Sequence, residues 1–468
     1  MVQNYSKEVI YMTADLKGKK VLVIGSGLSG VGSVNLLNKV GALPVVLEEN
    51  TKVTEEDIRN KLHEEDRENT KIIVGTISDE DLADIVLTVP SPAVPLDAPT
   101  VMRIKDKNIP IWSEIELAFN FAKGKMVAIT GTNGKTTTTT LVGEIMKAHF
   151  GKAYVVGNIG VSYAESALEM DESSVTVGEI SSFQLEAVDN FHANVSAILN
   201  ITPDHLNRHH TMECYAQMKE NITHNQTKDD TCVLNYDNEY TRDFGGRCPA
   251  KVVFFSTKEK LTDGFYLDNE DIYMATAGNA MKIMNIHDMN LVGMCNVENV
   301  MAAIAMSLAM DVPLATILSV IRTFKAVEHR IEFVATKRGV DYYNDSKGTN
   351  PDAAIQGVRA MCKPTILIGG GYDKGNEYDE WIESFGDTIR LLVLIGQTKE
   401  KIAECCDKHG FTNYVFKETY EEALEFCTES ANQGDAVLLS PACASWDMFP
   451  NYETRGKRFK DYVNKLSD

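Results

Sequence analysis

The chain of 468 residues is long enough for about three ordinary domains, since one domain commonly contains roughly 100–200 residues. Hydrophobic residues make up 44% and charged residues 24%, which is typical of a globular protein and excludes a disordered chain. The formal net charge of −21 repels phosphate backbones and anionic lipid, so we expect no nucleic-acid partner and no membrane insertion.

The N-terminus and the cysteines predict a cytoplasmic protein. The first twenty residues lack the short apolar core and the small-residue cleavage site of a secretory signal. No apolar run reaches the length of ~18 residues that a membrane helix needs. The nine cysteines include no CxxC pair, so neither a disulfide framework nor a zinc site is indicated, and we expect reduced thiols.

Residues 1–112 are predicted to form a first domain in which short strands alternate with helices. Apolar runs at 20–24 and 44–48 flank a helical stretch at 31–40, which is the pattern of a βαβ unit in a parallel sheet. The sequence GSGLSG at 25–30 lies between the first run and the helix, and Glu48 follows it by 18 residues. This favours a phosphate-binding turn, but it does not separate NAD from UDP or from a tight structural turn.

Residues 113–326 are predicted to form a second domain. Its first strand, at 126–130, leads directly into the sequence GTNGKTTTTT. A glycine-rich turn between a strand and a helix directs backbone N–H groups at a polyphosphate, and a following lysine and threonine bind the outer phosphates and Mg²⁺. Lys135 and Thr136 therefore predict a nucleotide-binding P-loop, for which ATP is only weakly favoured over GTP by the lack of a guanine-reading motif. Later in this segment we predict buried strands at 174–177 and 195–199, a hairpin region at 250–290, and helices at 296–310 and 312–324.

Polar side chains follow the two buried strands. Glu179 comes after the first strand, and Asp204 with His205 comes after the second. Open α/β sheets bind ligands at the carboxyl ends of their strands, so Glu179 is a candidate metal ligand. Each residue taken alone is also consistent with a structural role, and Lys219, in a helical stretch nearby, is consistent with a surface lysine.

Residues 327–468 are predicted to form a third domain with a second doubly wound sheet. Its strands are expected at 342–344, 365–368, 391–395 and 436–439, with helical stretches between them. The predicted fold class is therefore α/β, with an N-terminal Rossmann-like domain, a central P-loop ATPase-like domain and a C-terminal Rossmann-like domain.

The motifs, taken together, resemble those of the Mur ligases, the ATP-dependent amino-acid ligases of peptidoglycan precursor synthesis. The resemblance rests on GTNGKTT, the Glu179 segment, Asp204-His205, Asn296 with Asn299, EHR at 328–330 and NDSKGTN at 344–350, in that order. It extends over residues 25–455. EISSFQLE at 179–186 and SPACASWDMF at 440–449 are similar to the D-glutamate-adding members of the family.

The resemblance implies a role for each matched residue. It implies catalysis by Lys135, Glu179, His205 and Lys219, with metal ligands Thr136, Glu179, His205 and Lys219 as a carbamate. It implies ATP binding by Gly131, Thr132, Asn133, Gly134, Lys135, Thr136, Thr137, Asn296, Asn299, Arg330, Asp345 and Lys347. The UDP-precursor would contact Gly27, Leu28, Ser29, Glu48, Ser91 and Asn158, and D-glutamate would contact Thr349, Lys374, Ser445, Trp446 and Tyr452.

The chemistry that the resemblance implies is amide formation through an acyl phosphate. The substrates would be ATP, UDP-N-acetylmuramoyl-L-alanine and D-glutamate. The cofactors would be two Mg²⁺ ions and a CO₂-derived carbamate on Lys219. The enzyme would be a monomer. A sister ligase and folylpolyglutamate synthase are alternatives, which the segments at 179–186 and 440–449 disfavour. An NAD-linked oxidoreductase leaves GTNGKTT unexplained, and a regulator without catalysis does not explain why every expected catalytic position is filled.

Overall fold

The computed structural model describes residues 15–325 and 327–467. These residues form two compact units: the first contains residues 15–135, 142–255 and 302–317, and the second contains residues 136–141, 256–301, 318–325 and 327–467. Residues 1–14, 326 and 468 are outside the described residues. They include the predicted end of the second domain, at residue 326, and the first fourteen of the twenty residues that were searched for a secretory signal. The predicted boundaries near residues 112 and 326 stay predictions. Among the described residues, no helix is both long and apolar enough to cross a membrane.

The N-terminal part of the first unit is a parallel sheet with helices. Its strands are β1 (Lys20–Ile24), β2 (Leu43–Glu48), β3 (Lys71–Val74) and β4 (Ile85–Pro90), and its helices are α1 (Leu28–Lys39), α2 (Glu55–Lys61), α3 (Asp79–Leu82), α4 (Pro99–Asp106) and α5 (Glu114–Phe119). The strand order is β3-β2-β1-β4. The inner strand β1 is buried on both faces, as its unbroken apolar sequence predicts.

The rest of the first unit contains a larger parallel sheet. Its strands are β5 (Lys125–Thr130), β6 (Ala153–Gly157), β7 (Val175–Glu179), β8 (Val195–Ile198), β9 (Thr231–Asn235) and β10 (Lys251–Ser256). Its helices are α6 (Lys135–Phe150), of which residues 136–141 belong to the second unit, α7 (Tyr163–Ser166), α8 (Leu206–His209), α9 (Met212–Glu220) and α10 (Glu239–Gly245). Strand β5 lies between β7 and β8, and all three run parallel. The loops that follow these three strands therefore leave the sheet at one edge.

The second unit contains an antiparallel meander and a mixed sheet. The meander comprises β11 (Gly264–Asp268), β12 (Asp271–Thr276) and β13 (Asn279–Asn285), and the helices α11 (Met294–Ala309) and α12 (Leu314–Thr323) follow it. The mixed sheet comprises β14 (Glu332–Lys337), β15 (Val340–Asn344), β16 (Thr365–Gly369), β17 (Ile389–Leu394), β18 (Tyr414–Phe416) and β19 (Ala436–Leu439), with helices α13 (Pro351–Arg359), α14 (Asp379–Glu383), α15 (Lys399–Lys408), α16 (Tyr420–Ser430) and α17 (Tyr452–Lys465).

The mixed sheet has the order β14-β15-β19-β16-β17-β18, and only β14 is antiparallel to its neighbour. The sequence predicted the four inner strands β15, β16, β17 and β19 but neither edge strand, β14 or β18. Arg338 and Gly339 connect β14 to β15 with φ values of 54° and 76°. Two consecutive residues with positive φ are typical of the two-residue turn that closes an antiparallel hairpin.

Candidate active site

The glycine-rich loop that joins β5 to α6 is held in one conformation by the neighbouring loop after β8. Gly131 and Gly134 have φ values of 152° and 84°, which side-chain-bearing residues rarely adopt. The backbone N–H of Asn133 donates to Asn200 Oδ1 at 2.8 Å, and the N–H of Thr132 donates to the Asn200 carbonyl at 3.0 Å. The first N–H groups of α6 have no intrahelical acceptor, so this fixed loop ends in an anion-binding helix N-terminus.

Two lysine side chains meet on the same loop carbonyl. Lys135 Nζ donates to the carbonyls of Gly131 and Thr132, both at 2.8 Å. Lys219 Nζ, from α9, donates to the Gly131 carbonyl at 2.8 Å and is only 2% exposed. Burial, and then the charge of Lys135, lowers the pKa of Lys219 well below its ordinary value, whereas Asp204 opposes that shift. The neutral, nucleophilic amine is therefore more accessible at Lys219 than at an exposed lysine.

Aromatic side chains pack against Lys219 and contact the glycine-rich loop. Lys219 Nζ lies 4.6 Å from the centroid of the Tyr215 ring, and the Tyr215 hydroxyl lies 3.2 Å from Thr132 Oγ1. The His209 ring packs against Tyr215 with centroids 5.2 Å apart, and His209 Nε2 lies 3.0 Å from Ser182 Oγ. Burial and then the charge of Arg208 lower the pKa of His209 to about 4, so its ring is neutral at pH 7. Neither Tyr215 nor His209 was predicted from the sequence to have a role.

Glu179 ends β7 with a carboxylate whose second oxygen lacks a hydrogen-bond partner. Its side chain is 1% exposed, and Glu179 Oε1 accepts from Asn158 Nδ2 at 2.8 Å. Glu179 Oε2 is buried and has no hydrogen-bond partner among the described residues. A buried carboxylate oxygen without a hydrogen-bond partner destabilises the folded state. A cation that prefers oxygen ligands, such as Mg²⁺, would supply the missing partner. The predicted contact residue Asn158 thus positions the predicted metal ligand Glu179.

His205 lies on the loop after β8 in a left-handed backbone conformation. Its φ is 53°, and its N–H donates to Asp204 Oδ1 at 2.9 Å. The His205 ring packs edge-to-face on Phe183, with centroids 4.9 Å apart, and its Nε2 lies 3.5 Å from Asp204 Oδ2. A side-chain-bearing residue with positive φ is uncommon and concentrates at functional sites. This conformation fixes the imidazole beside the segment that begins with Glu179.

The glycine turn after β1 is a second tight loop between a strand and a helix, as is typical of phosphate-binding turns. A Cβ on Gly30 would lie 2.0 Å from the Gly25 carbonyl, so only glycine fits there. Glu48 Oε2 accepts from the Ser26 N–H at 3.0 Å and from Ser26 Oγ at 2.6 Å. Partial burial opposes ionisation of Glu48, but hydrogen bonds from Ser26 and from the Asn50 N–H outweigh it and lower the pKa of Glu48. The carboxylate is therefore ionised at the carboxyl end of β2.

The other predicted precursor contacts surround this turn. Gly27 is the N-terminal capping residue of α1, Leu28 is exposed at the first position of that helix, and Ser29 is half-buried. Ser91 follows β4, and its buried Oγ has no hydrogen-bond partner among the described residues. An exposed leucine and an unsatisfied buried hydroxyl beside one turn are consistent with a ligand surface.

In the second unit, the start of α6 is tied to two predicted ATP contacts. Lys347 Nζ donates to Thr136 Oγ1 at 2.7 Å, and Thr138 Oγ1 donates to Asn299 Oδ1 at 3.1 Å. Asn299 Nδ2 in turn donates to Asn296 Oδ1 at 3.1 Å. The structure therefore brings four predicted residues, Thr136, Asn296, Asn299 and Lys347, and the neighbouring Thr138 to one helix terminus. The predicted residue Thr137 is also buried there.

Asp345 is a buried carboxylate on the loop after β15. It accepts from Ser440 Oγ at 2.7 Å and from the Ile331 N–H at 3.2 Å. Burial raises the pKa of Asp345 to about 6, although the charge of Arg330 and these hydrogen bonds oppose the shift. The positive charge of one predicted ATP contact, Arg330, therefore favours ionisation of another, Asp345.

The predicted D-glutamate contacts lie on three loops of the mixed sheet, after β15, β16 and β19, and at the first residue of α17. Lys374 Nζ lies 5.0 Å from the ring centroid of Trp446, which is 60% exposed. Ser445 is buried, and its carbonyl accepts from the Phe449 N–H at 2.7 Å. Lys347 Nζ lies 5.7 Å from the centroid of the Tyr452 ring, and the Thr349 N–H donates to the Lys347 carbonyl at 2.9 Å.

One buried arginine, to which the sequence patterns gave no role, joins two of these loops. Arg455 donates from Nη2 to the carbonyls of Ser346 at 2.9 Å and Cys443 at 3.2 Å, and from Nε to Ser346 Oγ at 3.0 Å. Its side chain is fully buried. Arg455 therefore fixes the loop that carries Asp345 and Lys347 against the loop that carries Ser445.

Comparison with known families gives matches along most of the chain. Residues 19–113 match "Mur ligase MurD-like, N-terminal domain", residues 129–307 match "Mur ligase middle domain", and residues 329–443 match "Mur ligase, glutamate ligase domain".

Three relatives named UDP-N-acetylmuramoylalanine–D-glutamate ligase are similar to the chain over nearly its full length. The relative from Lachnospira eligens is 56% identical over 452 residues, which cover 97% of this chain and 100% of the relative. The relative from Lachnoclostridium phytofermentans is 50% identical, with 96% and 99% coverage. The relative from Clostridioides difficile is 47% identical, with 97% and 100% coverage.

Solved structures share the fold at lower identity. A UDP-N-acetylmuramate-alanine ligase from Thermotoga maritima aligns with a TM-score of 0.59 and 20% identity, covering 95% of this chain and 99% of that chain. A pseudomurein peptide ligase type C from Methanothermus fervidus aligns with a TM-score of 0.58 and 18% identity, covering 96% and 100%. With the family matches, these likenesses confirm the predicted three-domain α/β fold.

Proposed function

Because this chain belongs to the Mur ligase family, we propose that it joins D-glutamate to UDP-N-acetylmuramoyl-L-alanine at the expense of ATP in peptidoglycan precursor synthesis. The observation that supports this best is the 56% identity to a D-glutamate ligase over 97% of the chain. The chemical support comes from Lys135 and the buried Lys219, which both donate to the Gly131 carbonyl of the glycine-rich loop.

The glycine-rich loop is proposed to bind the phosphates of ATP. The N-terminus of α6 offers backbone N–H groups to an anion, and the Lys135 ammonium, which donates to two carbonyls of the loop, adds a positive charge beside it. Arg330, Asp345 and Lys347 are proposed ATP contacts of the second unit, with Asn296 and Asn299 at the base of α6. This arrangement neutralises charge as the terminal phosphate approaches a carboxylate.

The orphaned oxygen of Glu179 fits a divalent cation with a preference for oxygen ligands. We propose that Thr136, Glu179, His205 and a carbamate on Lys219 hold two Mg²⁺ ions. When bound, these ions offset the negative charge of the reacting phosphate and carboxylate. Asn158 donates to Glu179 Oε1 at 2.8 Å, which leaves Oε2 available for the cation.

A carbamate on Lys219 is proposed because the amine is buried and its proton is disfavoured. Carbamylation joins the neutral amine to CO₂ by a C–N bond and releases one proton to solvent. The product is an anion with two oxygens, which converts a cation into a metal ligand.

The reaction is proposed to proceed in two steps. The L-alanine carboxylate of the precursor attacks the terminal phosphorus of ATP, which forms an acyl phosphate and releases ADP. The amine of D-glutamate then attacks the acyl carbon, loses a proton, and expels inorganic phosphate. Lys135 stabilises the transferring phosphoryl group, and the loop contacts hold the carboxylate and the phosphate in place.

Recognition of the two organic substrates is proposed for separate surfaces. The uridine diphosphate part would bind at the turn of Gly27, Leu28 and Ser29, with Glu48 and Ser91 beside it. D-Glutamate would bind the ammonium of Lys374 and the donors around Ser445, with Thr349, Trp446 and Tyr452 completing the surface. We further propose that the enzyme acts as a cytoplasmic monomer without a nucleic-acid partner.

Phosphate release with purified enzyme, ATP, Mg²⁺ and UDP-N-acetylmuramoyl-L-alanine tests this proposal. D-Glutamate is expected to be required, whereas L-glutamate, L-alanine and diaminopimelate should give only background release. Comparable turnover with L-alanine or diaminopimelate would assign the chain to a sister activity. Gel filtration tests the proposed monomer.

A further inference from the structure

Helices α14 and α15 of the second unit bring together three side chains of types that bind metal ions. Asp379 begins α14, Cys405 lies in α15, and His409 caps the C-terminus of α15. Their ligand atoms all lie within 4.8 Å of one another, and His409 Nε2 lies 2.8 Å from Asp379 Oδ1. Cys405 and His409 are four residues apart, so they lie on the same side of the helix. None of the three belongs to the proposed active site.

We propose that Asp379, Cys405 and His409 form a binding site for a divalent cation of the zinc type. A sulfur, an imidazole nitrogen and a carboxylate oxygen are the ligands that Zn²⁺ prefers, and three of them leave a fourth position for water. Metal–ligand bonds of about 2.0–2.3 Å in a tetrahedral site place ligand atoms roughly 3.2–3.8 Å apart. Ligand atoms within 4.8 Å therefore need to move by about 1 Å.

Glu383 supplies an independent argument for this site. Its Oε1 lies 3.5 Å from His409 Nδ1, on the ring nitrogen opposite to the one that faces Asp379. A histidine that binds a metal through one nitrogen usually directs its other N–H to a carboxylate, which fixes the ring and its tautomer. Glu383 and Asp379 are four residues apart, so one turn of α14 presents both the metal ligand and the orienting carboxylate.

Charge balance and competition are consistent with this proposal. The Cys405 thiolate and the Asp379 carboxylate together neutralise a divalent cation, and the thiol proton is released to the buffer on binding. Lys408 Nζ forms an ion pair with Asp379 Oδ1, and the Lys408 side chain is 68% exposed. An exposed ion pair of this kind contributes little, so Lys408 can leave Asp379 for solvent when the cation binds. Lys408 is therefore a competitor of the metal.

Titration of the chelator-treated full-length protein with Co²⁺ tests the site. One equivalent is expected to produce a near-ultraviolet sulfur-to-cobalt charge-transfer absorption, which added Zn²⁺ should remove. An oxygen-lined Mg²⁺ site does not give this absorption, so the proposed active site does not interfere. Cys405→Ser should abolish the absorption, whereas Cys362→Ser, which alters an exposed thiol outside the cluster, should preserve it.

Two further variants separate a metal site from a plain hydrogen-bonded cluster. Glu383→Gln should weaken Co²⁺ binding by roughly 10–100-fold, and Lys408→Met should strengthen it because the competing charge is removed. Thermal melting is measured for each variant to test whether it is folded. If one of them is not folded, Asp379→Asn is used in its place. Absence of the absorption in the wild-type protein, or its persistence in Cys405→Ser, would overturn the proposal whatever the ligase activity is.

Discussion

Replacement of Lys219 by methionine should remove activity while leaving the fold intact. The methionine side chain has nearly the length of the lysine stem and can fill the same buried space. It cannot accept CO₂, so the proposed carbamate and its metal ligation are lost. The expected result is a folded protein with a large loss of rate.

The structure sets the size of both effects. The Gly131 carbonyl loses the donor Lys219 Nζ but keeps Lys135 Nζ at 2.8 Å, so the cost to the free energy of unfolding is about 1 kcal/mol. Loss of one preorganised electrostatic contact in the transition state reduces the rate by about 10²–10³, or about 3–4 kcal/mol. The rate should therefore fall far more than the stability.

Phosphate release and thermal melting measure the two quantities on the same samples. Lys219→Arg should be as inactive as Lys219→Met, because it keeps a positive charge but cannot be carbamylated. Lys219→Ala opens space at the site, so formate or acetate should restore part of its rate by supplying carboxylate oxygens. Retention of most of the activity by Lys219→Arg would show that the lysine acts as an ordinary cation, and the carbamate would have to be abandoned.

Three other predictions concern the glycine-rich loop and the second unit. Lys135→Ala should reduce the rate of phosphate release by about 10²–10³ with little change in melting temperature; a loss below tenfold would remove the role given to Lys135. The pKa of Asp345 is raised from 3.8 to about 6, so between these pH values the native state binds one more proton than the unfolded state. This proton stabilises the native state by about 3 kcal/mol at low pH, and that stabilisation is lost as the pH rises through 6. Asp345→Asn should flatten this slope in denaturant titrations at pH 4 to 7, and an unchanged slope would contradict it. Arg455→Met should lower the free energy of unfolding by about 3 kcal/mol, because buried carbonyls lose a charged donor. The control Arg458→Met changes an exposed position of the same helix and should lower the free energy of unfolding by less than about 1 kcal/mol. Equal losses in the two variants would refute this reasoning.

Strands and phosphate-binding turns were predictable from the sequence because their signals are local. The apolar run at 20–24 coincides with β1, and the GTNGKTT sequence lies between β5 and α6 as expected. Helix α1 begins at Leu28, three residues before the predicted start, because Gly27 caps it inside the glycine turn. The antiparallel strand β14 was missed because the turn at Arg338 and Gly339 carries only one glycine.

The contacts within the candidate site were less predictable because they join residues distant in the chain. The sequence placed Glu179 at a strand end, but its orphaned oxygen depends on how Asn158, from another loop, meets it. Lys219 has the sequence context of a surface lysine, and only the packing of α9 under the glycine-rich loop buries it. Tyr215 and Arg455 were missed for the same reason, since helical periodicity does not say which polar side chain faces a loop of another element.

Isotope transfer from the precursor to phosphate tests the central claim most directly. The precursor is labelled with ¹⁸O in both oxygens of its L-alanine carboxylate and incubated with enzyme, ATP, Mg²⁺ and D-glutamate, and the phosphate and the product are analysed by mass spectrometry. An acyl-phosphate route to a D-glutamyl amide predicts one ¹⁸O atom in each phosphate released and one glutamate added to each precursor. Unlabelled phosphate, or equal product formation with L-glutamate, would contradict the account.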